Sequence, residues 1–368
     1  MQVCYIISDI DKALAFEWIA SALQKKLDIR FILLNSGDSA LERFLKRTGV
    51  QVTRVTFRGK RDWSSALYLI WRQLRIWNPQ VVHCHLLQAS ILGLTAAWIA
   101  GSSKRIFTRH HGDLHHRYHK KGVLWDKLCN SLATDIVAIS GNVKSILVEM
   151  DHAPPEKIHL IPHGFSWETF RNTDDLMVQN LKENYSLCGK SPVIGCISRF
   201  IEWKGIQYII PAFKEFLELN PDAVLVLANS QGDYASHLRQ LLTTLPAESY
   251  RLISFEPAVG ELFQCFDLFV HVPIDSKVEA FGQVYVEALT AGVPSVFTLS
   301  GIATDFIEHS QNGWVVQHRN STEIEHALQI LWKTPELRTR LKRNGWNSVQ
   351  DKFSLSQMIV SLENLYGV

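Results

Sequence analysis

The stretch Val278-Glu279-Ala280-Phe281-Gly282-Gln283-Val284-Tyr285-Val286-Glu287-Ala288-Leu289 decides how the second half of this chain folds. Before it, Asp267-Leu268-Phe269-Val270-His271-Val272 is a short apolar run with the character of a buried strand. Behind it, Ala291-Gly292-Val293-Pro294 carries the Gly-then-Pro punctuation that stops a helix. The segment therefore reads strand, loop, helix, with Glu279 in the loop and Glu287 on the helix. Gly282 stands at the helix start, where unpaired backbone N–H groups and the helix dipole favour an anion. A carboxylate in the loop, an anion seat at the helix end and a second carboxylate inside the helix suit a ligand built of a sugar, a phosphate and a ribose.

The same alternation extends outward over the whole chain. In the second half, strands are predicted at 193–197, 223–228, 251–255, 268–272, 295–298 and 314–316, with a helix at 205–219. In the first half, strands at 3–7, 30–34, 51–57, 81–85, 105–108, 136–139 and 158–161 alternate with helices at 13–25, 39–47, 62–77 and 86–100. Strands alternating with helices imply α/β architecture with parallel sheets wound on both faces. Ligands in such sheets bind beyond the carboxyl ends of the strands. A length of 368 residues suggests two domains. The first is placed at 1–170, a polar linker at 171–190, the second domain at 191–350, and a closing amphipathic helix at 351–368 that returns toward the first domain.

Composition is that of an ordinary globular protein, 46% hydrophobic and 20% charged. The six cysteines (4, 84, 129, 188, 196 and 265) have no C-x-x-C spacing, and four lie in or beside apolar runs, as reduced core thiols do. Met1 leads directly into a strand-like run, so no secretory signal and a cytoplasmic location are expected. No apolar stretch reaches the ~18 residues of a spanning helix. The net charge of +2 hides an asymmetry: residues 1–165 hold 22 Lys/Arg against 13 Asp/Glu, a formal +9, and the remainder holds 16 against 23, a formal −7. A basic first half is compatible with an anionic membrane face as partner, and no nucleic-acid partner is expected. The helix at 62–77, with Trp63, Trp77, Arg72 and Arg75, could rest on such a face or pack Leu67, Ile70, Trp71 and Leu74 on the sheet.

A second stretch carries chemistry: Cys196-Ile197-Ser198-Arg199-Phe200-Ile201-Glu202-Trp203-Lys204-Gly205. Arg199 and Lys204 fall in a loop just beyond a strand's carboxyl end. Two cations there would clamp a diphosphate and stabilise it as a leaving group; ordinary solvated cations are the alternative.

Together these stretches resemble one family. Glu279-x7-Glu287 with Ala280-Phe281-Gly282 inside it, and Gly292-Val293-Pro294 behind, resembles the signature of the retaining family 4 glycosyltransferases. Ser198-Arg199-Phe200 followed by Lys204-Gly205 resembles that family's phosphate loop. Ile161-Pro162-His163-Gly164-Phe165 resembles its interdomain junction, with His163 in place of Asn, and Phe353-Ser354 to Tyr366 resembles its terminal helix. The resemblance implies a GT-B fold, two Rossmann-like domains with a cleft between them. It implies transfer from a nucleotide sugar to a glycan, lipid-linked or small-molecule hydroxyl, with retention and without an obligatory metal or cofactor. By the same resemblance Arg199 and Lys204 hold the diphosphate, and Glu279 faces the sugar hydroxyls. Glu287 faces the ribose, and the backbone at Phe281, Gly282 and Gln283 touches phosphate. Thr108-x-His110 resembles the strand-end histidine that reaches the donor sugar, with His111 as a one-residue alternative register.

Three places depart from the family's pattern. The turn Ser8-Asp9-Ile10-Asp11-Lys12-Ala13 lacks the usual glycine, which leaves Asp9 or Asp11 as direct acceptor-side partners. The turn Ala228-Asn229-Ser230-Gln231-Gly232 lacks Gly-x-Gly, and the run before Glu279 is long and charged, ending in Lys277. Asp9-Ile10-Asp11 has the form of a metal-binding Asp-x-Asp, but two oxygen ligands underfill a divalent cation. A nucleotide-sugar 2-epimerase of the same fold, a glycosidase using Glu279 and Glu287, and a non-catalytic nucleotide-sugar-binding protein are the competing functions. The placement of Glu287 inside a helix disfavours the glycosidase.

Overall fold

The computed structural model describes residues 1–368, which divide into two units: Met1–Phe165 with Leu355–Val368, and Ser166–Ser354. The first unit holds a seven-stranded sheet. Its strands are β1 (Gln2–Ser8), β2 (Asp28–Asn35), β3 (Gln51–Thr56), β4 (Val81–His85), β5 (Lys104–Arg109), β6 (Asp135–Ala138) and β7 (Ile158–Leu160), in the order β3-β2-β1-β4-β5-β6-β7. The second holds β8 (Val193–Ile197), β9 (Val224–Ala228), β10 (Tyr250–Ile253), β11 (Leu268–His271), β12 (Ser295–Phe297) and β13 (Trp314–Val315), in the order β10-β9-β8-β11-β12-β13. Every pairing in both sheets is parallel. The strand order reverses between β1 and β4 in one sheet and between β8 and β11 in the other. In doubly wound sheets these reversals are the points where ligands bind.

The strands are parallel because they are apolar on both faces. Val3, Cys4, Tyr5, Ile6 and Ile7 are all fully buried, as are Val224 through Leu227. The connecting helices each bury one stripe. The Ile206–Leu219 helix presents Ile209, Ile210, Phe213 and Phe216 to the second unit's core. Each of these large side chains contributes roughly 1.5–3 kcal/mol by leaving water. The Ala40–Arg47 helix starts where Ser39 accepts from the Glu42 N–H, a local cap the sequence signals directly.

One segment folds differently from its sequence reading, and the closing helix returns to the first unit as expected. The polar stretch 171–190 contains a helix, Asp175–Asn184, begun by Asp174 accepting from Leu176 and Met177 N–H. It belongs to the second unit, where Leu181 is buried and Tyr185 donates to Glu256. Its one buried apolar position is too weak a periodic signal to show against a polar background. The final helix, Leu355–Tyr366, is a core element of the first unit: Met358, Ile359, Leu362 and Leu365 join that core. Tyr366 Oη lies 2.5 Å from Tyr5 Oη and 2.7 Å from His83 Nδ1. No helix is long and apolar enough to cross a membrane. All six cysteines are free thiols, and only Cys188 is exposed.

Candidate functional site

In the second unit, the loop after β8 and the loop after β11 are knitted together beside the strand-order reversal. Phe200 is fully buried and anchors the first loop, its N–H donating to Gln231 O at 2.9 Å. A short 3-10 turn, Glu202–Lys204, then ends at Gly205, whose φ is +78°. A Cβ there would lie 1.8 Å from Val272 O, so only glycine allows this loop to meet the end of β11. Ile274 N–H donates to Trp203 O at 3.1 Å and ties the loops together.

That approach brings Lys204 onto Glu279. The ammonium Nζ donates to Glu279 Oε1, and both groups are largely buried. Burial alone would raise the Glu279 carboxyl; the Lys204 ammonium and His271 outweigh it and hold the carboxyl at about 2. His271, at the carboxyl end of β11, lies with Nε2 3.2 Å from the same oxygen. In the sequence His271 reads as one more position of an apolar strand. The signal was present in principle: an imidazole among four apolar residues, Leu268, Phe269, Val270 and Val272, where a strand ends.

The helix that follows is Gln283–Ala291, with Gly282 as its N-cap at φ +80° and no side chain capping it. A Cβ on Gly282 would lie 2.7 Å from the Tyr285 ring. The helix therefore begins with open N–H groups at Gly282 and Gln283, an anion seat one turn from Glu279. The Phe281 ring is buried against Phe353, and its carbonyl accepts from Ile302 N–H, so Phe281 supports the loop through its own packing. Glu287 is half-buried on this helix, and desolvation pushes its carboxyl up to about 7. Arg199 is exposed on the loop after β8, and Lys277 is half-buried.

In the first unit, the strand-order reversal falls at Ser8-Asp9 and His85. Asp9 adopts φ +51° and so supplies the left-handed turn for which the family uses glycine. Its N–H donates to Leu34 O at 3.0 Å, and its side chain is exposed. Asp11 has a structural role: its carboxylate accepts from Ala40 N–H at 2.9 Å, its carbonyl from Leu41 N–H at 2.8 Å. Beyond β4 and β5 lies a line of imidazoles. His83 bonds Tyr366 Oη and, at 2.8 Å, Thr108 Oγ1. His85 Nδ1 is 3.1 Å from His110 Nε2, and the His110 ring stacks on His163 at 5.6 Å. Burial, with His163 nearby, pushes His110 well below the ordinary imidazole value. His111 points elsewhere. Its Nε2 lies 3.3 Å from Asp126 Oδ1, and burial holds it at about 4.

His111, His115 and Asp126 place their donor atoms within 4.8 Å of one another, a grouping that could hold a metal ion. The buried Arg109 guanidinium, 3.0 Å from Asp126 and 3.3 Å from Asp151, already neutralises that carboxylate, while His115 Nδ1 binds its second oxygen at 2.7 Å. The group is satisfied as a hydrogen-bonded network that fixes the segment between β5 and β6.

Two parallel α/β units, each with polar groups at its strand-order reversal, and a glycine-ended loop that sets Lys204 on buried Glu279 are the architecture of a GT-B glycosyltransferase. The family models agree: residues 18–168 match Glycosyltransferase Family 4 and residues 178–348 match Glycosyl transferases group 1, and the chain belongs to this glycosyltransferase family. Among curated relatives, it is 26% identical over 299 residues to the capsular polysaccharide biosynthesis glycosyltransferase CapM of Staphylococcus aureus, covering 79% of this chain and 77% of that one. It is 26% identical over 206 residues to a GDP-mannose-dependent phosphatidylinositol monomannoside mannosyltransferase of Mycobacterium tuberculosis, where the match spans 54% of this chain and 52% of the relative. Among solved structures, Anabaena HepE in complex with UDP-glucose superposes over 100% of both chains with a TM-score of 0.87 at 19% identity.

Proposed function

We propose that this protein transfers a sugar, with retention at the anomeric carbon, from a nucleoside-diphosphate sugar to a hydroxyl of a glycan or lipid-linked acceptor in cell-surface polysaccharide or glycolipid synthesis. The observation that carries this reading is the buried Lys204–Glu279 pair set beside the uncapped helix start at Gly282. A diphosphate on that helix start meets the N–H groups of Gly282 and Gln283 and the cations Arg199 and Lys204. These stabilise the charge that grows as the glycosidic bond breaks, and the acceptor hydroxyl attacks from the same face. With two cations and a helix dipole on the diphosphate, the reaction needs no divalent ion. Glu279 reads the sugar hydroxyls and Glu287 the ribose. In the first unit we assign the donor-facing imidazole to His110, because the His111 ring is committed to Asp126, and Asp9 to the acceptor side. The UDP-glucose bound by HepE and the capsular role named for CapM support the donor class and the pathway.

The test is a panel of UDP-, GDP- and ADP-sugars, read by thermal shift and by NMR of the product's anomeric configuration. Stabilisation by one donor and a product of unchanged configuration are expected. Epimerised donor without acceptor would identify an isomerase, and binding without turnover a non-catalytic partner.

We further propose that a cytoplasmic protein touches an anionic membrane through the first unit. The helices Trp63–Trp77, Leu87–Ala100 and Gly122–Leu132 expose Tyr68, Ile76, Trp98 and Leu124 beside Arg72, Arg75, Lys121 and Lys127. Buried Ala66, Ile70, Leu74 and Trp77 form the opposite stripe of the first of these helices, with Leu67 and Trp71 half-buried. Co-sedimentation with phosphatidylglycerol vesicles but not with phosphatidylcholine vesicles is expected.

A further inference from the structure

We propose that His271 is the positioning residue of the Glu279 carboxylate, its Nε2–H holding that group in place when Lys204 is drawn to the diphosphate. The inference rests on the donor site proposed above. His271 ends β11, the strand beside β8 at the order reversal, and its backbone carbonyl accepts from Thr298 N–H at 3.3 Å. Leu268, Phe269 and Val270 before it are fully buried, and packing alone would place another apolar side chain here. The imidazole is 1% exposed. It meets the Tyr285 ring nearly at right angles, with ring centroids 4.7 Å apart, and Tyr285 is itself pinned by its hydroxyl donating to Thr298 O at 2.8 Å.

Neither ring nitrogen of His271 has a hydrogen-bond partner apart from the 3.2 Å approach of Nε2 to Glu279 Oε1. A buried imidazole bearing an unmatched N–H costs free energy. The Nε2–H tautomer is the one that can offset that cost, because Glu279 Oε1 is the acceptor within reach of Nε2, and it leaves Nδ1 as a bare lone pair. Burial also pushes the ring below its ordinary pKa, so at neutral pH it acts as a neutral donor beside the Lys204 counter-ion.

The arrangement answers a conflict between the two roles of Lys204. In the structure its ammonium serves Glu279; with a donor bound, the diphosphate competes for it. A second donor that is fixed to a strand and uncharged keeps the carboxylate aimed at the sugar without competing for phosphate.

The experiment compares wild type with His271→Phe, which removes the donor, and His271→Gln, whose Nε2 restores one. Nucleotide sugars are UDP-glucose, UDP-N-acetylglucosamine, GDP-mannose and ADP-glucose, with UDP, GDP and ADP as sugar-free probes. His271→Phe is expected to lower kcat/KM for the active donor about 10- to 100-fold, the range for losing a hydrogen bond to a buried charged group. Affinity for the matching sugar-free nucleotide should stay within about twofold, and His271→Gln should recover most of the loss. Equal kcat/KM in His271→Phe and wild type would overturn the inference. So would a parallel loss of nucleotide affinity and turnover that Gln does not rescue, since that marks a packing role. The imidazole 15N spectrum gives a donor-independent readout: protonated Nε2 and bare Nδ1 are expected, with Nε2 shifting in Glu279→Gln, and a protonated Nδ1 would overturn the inference. Absence of transfer from any sugar would defeat the functional reading while this spectrum still decides the contact.

Discussion

Replacing Lys204 by alanine separates the structural from the chemical role of the pair. Glu279 is 5% exposed, and removing Lys204 takes the full counter-charge away from a buried carboxylate. Holding that carboxyl at about 2 against its ordinary 4.5 represents about 3 kcal/mol of differential interaction, of which Lys204 supplies the largest lowering contribution and His271 the rest. Breaking a buried ion pair from one side costs about 3–5 kcal/mol, which agrees. For a unit of this size that is a fall in Tm of roughly 6–20 °C. The pH dependence has a definite sign. In the wild type the carboxyl is depressed, so the pair's stabilisation is full above about 4.5 and is lost as pH falls toward 2. In the alanine variant burial dominates and raises the carboxyl. The deficit is therefore greatest at pH 7.5 and shrinks on acidification as Glu279 takes up a proton. The assay is differential scanning fluorimetry of wild type, Lys204→Ala, and the double variant Lys204→Ala/Glu279→Gln at pH 7.5 and 4.5. The double variant should recover most of the lost Tm and remain inactive in transfer. A single-variant Tm within about 2 °C of wild type at pH 7.5, or a double variant no more stable than the single, would refute the argument.

Arg199 is exposed, so Arg199→Ala should change stability by less than about 0.5 kcal/mol while weakening nucleotide binding about 10- to 100-fold, measured by calorimetry with UDP and GDP. Gly282→Ala puts a Cβ 2.7 Å from the Tyr285 ring at φ +80°; a loss of about 1–3 kcal/mol in urea unfolding and weaker nucleotide binding are expected. Tyr366→Phe removes the hydroxyl shared by Tyr5 and His83, both buried. It should cost about 1–3 kcal/mol and make the Leu355–Tyr366 helix more susceptible to limited proteolysis. Arg109→Met leaves Asp126 and Asp151 without their buried cation and should cost about 3–5 kcal/mol, read by denaturant titration.

Most strands were legible because a parallel strand buried on both faces is an uninterrupted apolar run, as Val224 to Leu227 and Val3 to Ile7 show. The helix at 175–184 was not, since a single buried leucine leaves no periodicity to detect. Gly205, Gly282 and the cations of the 199–204 loop stood out because residue type there is dictated locally, by positive φ and by charge beyond a strand end. Asp9 was read as a substrate-facing residue in a glycine-free turn. Its left-handed backbone shows that the turn is preserved by a residue that tolerates φ above zero.

The two α/β halves, the helix start at Gly282 and the two loops that carry Arg199, Lys204 and Glu279 follow from local sequence, because each depends on neighbours within a few positions. Which charges meet depends on how distant segments pack. Lys204 and Glu279 are 75 residues apart in the chain and share one oxygen with His271. His110 and His111 are adjacent in the chain yet belong to different networks, one with His85 and the other with Asp126. The closing helix sends Tyr366 to His83, 283 residues away. These pairings follow from the order of strands in a sheet and the close approach that Gly205 permits, and no local pattern of side chains encodes either distance.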